Sequence, residues 1–174
     1  MKKYIVTTTI NEPTIATKKF CKIAKEKDFI FVIVGDTKTP HESYIKLEND
    51  HVIYLPPSKQ EELYKELSDT IGWKSIQRRN IGFVYAYDQG ADIVATVDDD
   101  NIPYSNWGDD IVVGKEIEID VYSHKISNVF DPISPTNHND LWHRGYPIEL
   151  VPNKNEIEYK GKEIRKVLIQ EKKK

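Results

Sequence analysis

Cysteine is almost absent from this sequence of 174 residues, in which Cys21 is the only one. One thiol cannot form a disulfide within the chain, and it cannot supply a cysteine zinc site. The lack of disulfides suits a reducing compartment, so we expect a cytoplasmic protein. A piece of a longer, membrane-anchored protein would show the same pattern.

Long apolar runs and an excess of positive charge are also missing. The apolar run that begins at Tyr4 stops at Thr7, which is too short for a signal-peptide core or a membrane span. The formal net charge is −3, from 25 Lys and Arg residues against 28 Asp and Glu residues. No broad basic field therefore exists to bind nucleic acid. We expect no membrane span and no nucleic-acid partner, and the oligomeric state, including a homo-oligomer, stays open.

Apolar runs alternate with helix signals over most of the chain. Residues 29–34 are an unbroken apolar run, which suits a parallel strand covered on both faces. Residues 93–97, apolar except for Thr96, also predict a buried strand. Shorter strands are predicted at residues 4–6 and 51–55. One helical stripe of apolar side chains follows the first strand, at Ala16, Phe20, Ile23 and Ala24.

Three helix starts separate these strands. Pro13 suits a first helical turn, Ser58 with Glu61 has the spacing of a capping box, and Ser75 caps a further helix. The repeated strand–helix–strand order predicts a single α/β domain over residues 1–174, with a mostly parallel sheet flanked by helices.

The pattern changes in the last third of the chain. Ile117, Ile119 and Val121 alternate with polar residues, as in a half-exposed antiparallel strand. Residues 128–145 are rich in Pro, Asn, Asp and His and indicate a long loop, which in a compact domain is usually functional or disordered. A small antiparallel portion is therefore expected at the C-terminal side.

Three consecutive aspartates, Asp98, Asp99 and Asp100, follow the strand at residues 93–97. In extended backbone Asp98 and Asp100 share one side and Asp99 faces the other. Two carboxylates about 4 Å apart at a surface repel by roughly 4 kcal/mol, which a cation, a raised pKa or solvent must offset. Oxygen ligands favour Mg²⁺ or Mn²⁺. A simple acidic turn is the alternative, and spacing alone does not separate the two.

The position of these aspartates favours a binding site. In open α/β sheets ligands bind beyond the carboxyl ends of the strands. The threonines around Thr8, then Asp36, then Asp98 to Asp100 all follow predicted strands at that edge. Thr8 could hold a base or phosphate, and Asp36 could accept hydrogen bonds from a ribose or base. Each residue taken singly is better explained as an ordinary turn residue or helix cap.

Two further groups could contact a donor substrate. Arg78 and Arg79 lie in the first turns of the helix near Ser75, where guanidinium groups and backbone amides bind phosphate. Trp142 and Arg144 lie in the run Trp-His-Arg-Gly-Tyr-Pro, which suits a stacked sugar ring beside an anion. A solvated basic face and an aromatic-pinned turn are the respective alternatives.

Five segments in this order resemble the STELLO-type glycosyltransferase family and, more distantly, the reversibly glycosylated polypeptides, which include UDP-arabinopyranose mutases. The match touches most of residues 4–150. The segments are residues 6–14, 34–40, 78–83, 90–101 and 142–147.

The resemblance implies a GT-A-like, Rossmann-like fold, a nucleoside-diphosphate sugar donor (a UDP-sugar is favoured) and a Mn²⁺ or Mg²⁺ ion at an Asp-x-Asp motif. It implies metal ligands at Asp98 and Asp100. In the reversibly glycosylated branch the arginine that matches Arg144 becomes glycosylated. The expected catalytic residues are Asp98, Asp100 and Arg144. The expected substrate-binding residues are Thr8, Asp36, Arg78, Arg79, Asp99 and Trp142.

The sequence departs from the family pattern at three places. The family usually has Lys at the position of Arg79 and Pro at the position of His143. Its members also continue beyond residues 167–170 into a further acidic motif, so we expect a C-terminally truncated form or an acceptor side supplied from elsewhere.

The leading hypothesis is a metal-dependent glycosyltransferase domain with an unknown acceptor. A UDP-sugar mutase and a non-catalytic nucleotide-sugar-binding or interaction module are the alternatives. A nucleotidyltransferase is less favoured, because residues 7–13 lack the Gly-rich basic loop of that class.

Overall fold

The computed structural model describes residues 1–167, and residues 168–174 lie outside the described residues. The chain forms two compact units, one spanning Met1–Ile111 and a second that begins at Val112. The single domain expected from the sequence stays a prediction, and each unit is described by itself. Across residues 1–167 no helix is both long and apolar enough to cross a membrane.

The first unit contains a four-stranded sheet in which every pair of neighbours is parallel. The strand order is β3-β2-β1-β4. This arrangement confirms the predicted α/β class and is consistent with a GT-A-like, Rossmann-like fold. The strands are β1 (Lys3–Thr9), β2 (Ile30–Gly35), β3 (Val52–Leu55) and β4 (Ile93–Thr96).

Four helices connect and flank the strands: α1 (Ile15–Glu26), α2 (His41–Ile45), α3 (Pro57–Ile71) and α4 (Arg79–Asp88). A 3-10 turn, Ile76–Arg78, leads directly into α4 and is capped by Ser75 as predicted, since its hydroxyl accepts from the Gln77 N–H.

Two predicted helix starts are displaced. Helix α1 begins two residues after Pro13, because the Thr14 hydroxyl accepts the Thr17 N–H at 3.1 Å and acts as the cap. Helix α3 begins at Pro57, whose fixed φ suits a first helical position. The capping box predicted at Ser58 is therefore wrong.

The core lies on both faces of the sheet because successive side chains of a strand point to opposite sides. Ile5 and Phe31 pack with Phe20 of α1 on one face, and Val6 packs with Ile81 of α4 on the other. The predicted helical stripe of α1 is buried.

Helix α4 lies unusually close to the sheet at Gly82. A Cβ atom at this position would stand 2.5 Å from Val6 Cγ1 and 2.9 Å from Val34 Cγ2. Only glycine permits this approach without a shift of the strands. The close packing holds the start of α4, and with it Arg79, beside the sheet.

Strand β4 differs from the buried strand that its apolar run predicts. It pairs only with β1 among the described residues, so it forms the edge of the sheet. Val94 is consequently 41% exposed.

The second unit contains an antiparallel pair, β5 (Glu116–His124) and β6 (Ile157–Lys166). The predicted alternation at Ile117 to Val121 is confirmed, since the burial of β5 alternates along the strand. The loop predicted at residues 128–145 contains no helix or strand. The fold thus has the small antiparallel portion expected from the sequence.

Candidate functional site

A cleft of about 420 Å³ lies at the carboxyl ends of β1 and β2 in the first unit. Its size falls within the usual range of small-molecule sites, roughly 300–1,000 Å³. Three residues predicted from the sequence line it: Thr8, Asp36 and Asp99. The expectation that strand-end residues converge at one edge is therefore met for these three.

Thr8 and Thr9 form the floor of the cleft, and both are largely buried. The Thr8 hydroxyl donates to the carbonyl of Val34 at 3.0 Å, which fastens β1 to β2. The Thr9 hydroxyl donates to Asp99 Oδ2 and accepts the N–H of Asn11 at 3.1 Å. These hydroxyls therefore order the floor of the cleft.

Asp36 is 2% exposed, and its carboxylate accepts hydrogen bonds from nearby backbone. Oδ1 accepts the Thr37 N–H at 2.5 Å and Oδ2 accepts the Ser75 N–H at 3.2 Å. Burial alone would raise the pKa of Asp36, but hydrogen bonds from the amides of Lys74, Thr37 and Ser75 outweigh it and lower the pKa. Asp36 is thus an ionised anchor for the neighbouring loop.

Asp99 is the member of the aspartate cluster that lines the cleft. Its Oδ2 accepts from Thr9 and from Asn11 Nδ2, the latter at 3.0 Å. Its carbonyl accepts the Thr14 hydroxyl at the start of α1. These bonds join the end of β4 to the loop after β1, so the middle acid closes one side of the cleft.

Asp98 and Asp100 are both exposed and do not line the cleft. Asp98 Oδ1 accepts from Arg79 Nη2 at 2.5 Å, and Asp98 Oδ2 accepts from Asn101 Nδ2 at 3.4 Å. The Asp100 side chain has no hydrogen-bond or ion-pair partner within residues 1–167. The three acids therefore have three different surroundings.

Arg79 lies beside the aspartate cluster, where it pairs with Asp98. Its side chain is 19% exposed, and its Nε is buried without a hydrogen-bond partner in the described part of the chain. An N–H of a guanidinium group is a strong donor for phosphate or carboxylate oxygens. The Arg79 guanidinium is therefore partly exposed beside Asp98, while its buried Nε has no partner in the described part of the chain.

Arg78 differs sharply from its neighbour, and from the phosphate contact predicted for it. Its side chain is fully buried, and its guanidinium donates to Gln60 Oε1 and to the carbonyl and hydroxyl of Ser68. It also lies over the Trp73 ring, 3.7 Å from the centroid. Its donors are used inside the unit, so Arg78 supports the loop before α4 and does not face the cleft.

The acidic cluster fits a hard divalent cation in its chemistry, because Asp98 and Asp100 offer accessible carboxylate oxygens. No group of three or more His, Cys, Asp and Glu side chains within residues 1–167 could hold a metal ion alone. Mg²⁺ commonly takes one or two carboxylates and completes its shell with water and substrate phosphates. A cation here would therefore depend on the phosphates of a ligand.

The two remaining predicted residues, Trp142 and Arg144, belong to the second unit. Arg144 is exposed in a turn that is closed by the Tyr146 N–H donating to the His143 carbonyl at 2.8 Å. Asp131, fully buried, accepts the His143 N–H at 3.2 Å. Tyr146 is buried, as in the alternative of an aromatic-pinned turn, whereas Trp142 is 47% exposed. The turn thus presents an arginine and an aromatic ring at the surface.

Sequence reasoning missed four polar residues that line the cleft: Asn11, Lys38, Lys74 and Ser75. Asn11 and Lys38 each follow a strand end, so the same strand-end rule could have identified them. Lys74 and Ser75 precede α4 and carry no such signal. They reach the cleft because Asp36 binds their backbone.

No family model matches the chain. The chain is 27% identical over 171 residues to the probable glycosyltransferase STELLO2 of Arabidopsis thaliana, and 26% identical over 171 residues to the probable glycosyltransferase STELLO1 of the same plant. Each alignment covers 90% of this chain but 21% of the relative, so the chain spans about a fifth of their length. The resemblance to STELLO-type proteins is thereby confirmed over most of the sequence.

Proposed function

We propose that this chain is a metal-dependent glycosyltransferase domain that binds a nucleoside-diphosphate sugar, with a UDP-sugar favoured. The single observation that carries the proposal is the cleft at the carboxyl edge of the parallel sheet, with Asp99 in its wall and Asp98 and Asp100 next in sequence. The similarity to two probable glycosyltransferases supports the reaction class.

The residues of the first unit take distinct roles in this proposal. Asp98 and Asp100 supply carboxylate oxygens to a Mn²⁺ or Mg²⁺ ion, which when bound neutralises charge on the leaving nucleotide. Arg79 donates to the diphosphate and adds electrostatic stabilisation. Thr8, Asp36 and Asp99 shape the cleft that receives the nucleotide. Arg78 keeps the supporting role that its burial gives it.

The second unit carries two residues for which the family resemblance implies a role. Trp142 has an exposed ring of the kind that stacks on sugars, and Arg144 has an exposed guanidinium, and their roles stay predictions. The acceptor is a molecule outside this chain.

The proposal predicts that metal and nucleotide bind cooperatively. Two carboxylates alone hold Mn²⁺ weakly, so the phosphates of the nucleotide should tighten its binding. By linkage, Mn²⁺ must tighten UDP binding by the same factor. Calorimetric titration of each ligand in the presence and absence of the other measures this factor directly.

The decisive experiment is a thermal-shift panel of nucleotides and nucleotide sugars with and without Mn²⁺. A bound ligand at about one hundred times its Kd stabilises the fold by about 2.7 kcal/mol. Asp100→Asn should abolish the metal dependence, whereas Asp50→Asn, at another exposed aspartate, should leave it unchanged. No response to any nucleotide at millimolar concentration contradicts the proposal.

A UDP-sugar mutase is the second candidate, and the Arg144 turn favours it. The turn is held by a buried carboxylate, and Arg144 matches the arginine that becomes glycosylated in reversibly glycosylated polypeptides. A mutase interconverts ring forms of the sugar and consumes no acceptor. Product analysis with a UDP-sugar alone separates the two, because only a mutase forms an isomer without acceptor.

A further inference from the structure

The cleft of the first unit contains four charged side chains, which differ in whether they already have hydrogen-bond partners. Asp36 accepts backbone N–H groups, and Asp99 accepts from Thr9 and Asn11. Lys38 and Lys74 also line the cleft, and both are exposed. Neither ammonium group has a hydrogen-bond or ion-pair partner in the described chain. The charged groups of the cleft that are left without a partner are therefore the two ammonium groups.

Lys74 has a backbone conformation that residues other than glycine rarely adopt. Its φ angle is 60°, in the left-handed region. A Cβ atom in this region crowds the backbone, so residues other than glycine adopt it rarely. Strained positions of this kind cluster at ligand sites, where the surrounding structure enforces them.

The surroundings of Lys74 enforce this conformation from two sides. On one side, Asp36 accepts the Ser75 N–H at 3.2 Å, and the Lys74 amide also donates to it. On the other side, the Arg78 guanidinium lies over the Trp73 ring and donates to the Gly72 carbonyl at 3.4 Å. Two buried charged groups thus fasten the loop that carries one exposed lysine.

We propose that Lys38 and Lys74 form the anion-binding part of the cleft and contact a phosphate group of the ligand. That this phosphate belongs to a nucleotide rests on the proposed function; the anion preference rests on the two unpartnered ammonium groups of the cleft. Ammonium groups form short, charge-assisted hydrogen bonds with phosphate oxygens. Asp36 and Arg78 act on this contact as positioning residues for Lys74.

The test is an NMR titration of the full chain at low ionic strength with three probes: UDP, uridine and inorganic pyrophosphate. Lys74→Ala should weaken the binding of UDP and of pyrophosphate roughly tenfold, which corresponds to about 1.4 kcal/mol. Binding of uridine, which lacks phosphate, should not change. Lys38→Ala should act in the same direction.

Three variants separate a lost contact from a damaged fold. Lys74→Gly removes the side chain but suits φ 60°, so it should match Lys74→Ala in weak anion binding while melting no lower than the wild type. Lys74→Arg keeps the charge and should retain binding. Lys25→Ala, at an exposed lysine of α1, should leave both probes unaffected.

Each outcome bears on one proposal or both. If the wild type binds UDP and Lys74→Ala binds it equally well, the lysine site is overturned and the nucleotide site stands. If pyrophosphate binds through Lys74 but UDP binds no better than pyrophosphate, the nucleotide proposal fails and the lysine site stands. If neither phosphate ligand binds the wild type, both proposals fail.

Discussion

The two compact units of this chain bury different kinds of side chain. In the first unit the sheet is covered on both faces, and Ile5, Val32 and Ile33 have no exposed surface. Within residues 112–167, Tyr146 is the only hydrophobic side chain that is buried to a similar degree. Buried polar groups are prominent there instead, including Asp131 and Lys154.

This difference shows which interactions stabilise each unit. Burial of apolar area is non-directional and stabilises the first unit strongly. Hydrogen bonds of buried polar groups are directional and contribute less net free energy, but they specify one geometry. The first unit is therefore a stable platform for the cleft, and the second holds its Arg144 turn through a few specific contacts.

The largest expected effect tests the apolar core of the first unit. Phe31→Ala removes a ring that is 1% exposed and packs against Phe20, with ring centroids 5.8 Å apart. In urea titrations the free energy of unfolding should fall by about 3–5 kcal/mol. Ile164→Ala, at a side chain in the second unit that is 73% exposed, should change stability by less than about 0.5 kcal/mol. Equal losses of stability in the two variants would contradict the difference between the units.

The next effect separates two adjacent arginines of the first unit. Arg78→Ala leaves Gln60 Oε1 and the Ser68 carbonyl buried without this donor. The free energy of unfolding should therefore fall by about 2–3 kcal/mol. Arg79→Ala removes a partly exposed ion pair with Asp98, so the loss should stay below about 1 kcal/mol. Similar losses in the two variants would refute the supporting role of Arg78.

A smaller and more local effect is expected in the second unit. Asp131→Ala removes the acceptor of the Ile133 and His143 N–H groups, at a cost of about 1–3 kcal/mol. Asp131→Asn keeps an acceptor oxygen and should be milder. Hydrogen exchange should accelerate at these two amides and stay slow in β1. Acceleration throughout β1 would show that Asp131 also stabilises the first unit.

The smallest effect is a pH dependence in the first unit. Because the folded pKa of Asp36 lies below its usual value of 3.8, ionised Asp36 stabilises the fold above that pH. This stabilisation is lost as the pH falls from 3.8 through the folded pKa. Wild-type stability should therefore fall more steeply below pH 3.8 than that of Asp36→Asn in urea titrations. Parallel pH profiles would contradict the anchoring role of Asp36.

Much of the first unit could be predicted because its signals are local. The unbroken run at residues 29–34 indicates a buried parallel strand, and the stripe on α1 indicates a helix that covers it. Strand β4 shows the limit of this reasoning. Its run is also apolar apart from Thr96, but its burial depends on whether a strand pairs on its far side, which no local pattern reports.

The candidate site was predictable in its location and less so in its members. Strand-end residues such as Thr8, Asp36 and Asp99 meet because parallel strands share one carboxyl edge. Lys74 escaped prediction because it follows a helix and reaches the cleft only through Asp36. The metal, the donor sugar and the roles of Trp142 and Arg144 stay predictions.

The sequence by itself determined the order of strands and helices and the edge of the sheet at which the cleft lies, because periodicity and chain direction are properties of short segments. Only the tertiary structure decided that Arg78 is buried and Arg79 is not. The two are adjacent residues of the same type, and the burial of each side chain depends on partners distant in sequence. These partners are Gln60 and Ser68 for Arg78 and Asp98 for Arg79. Free energies of burial and of hydrogen bonding are set by such long-range contacts.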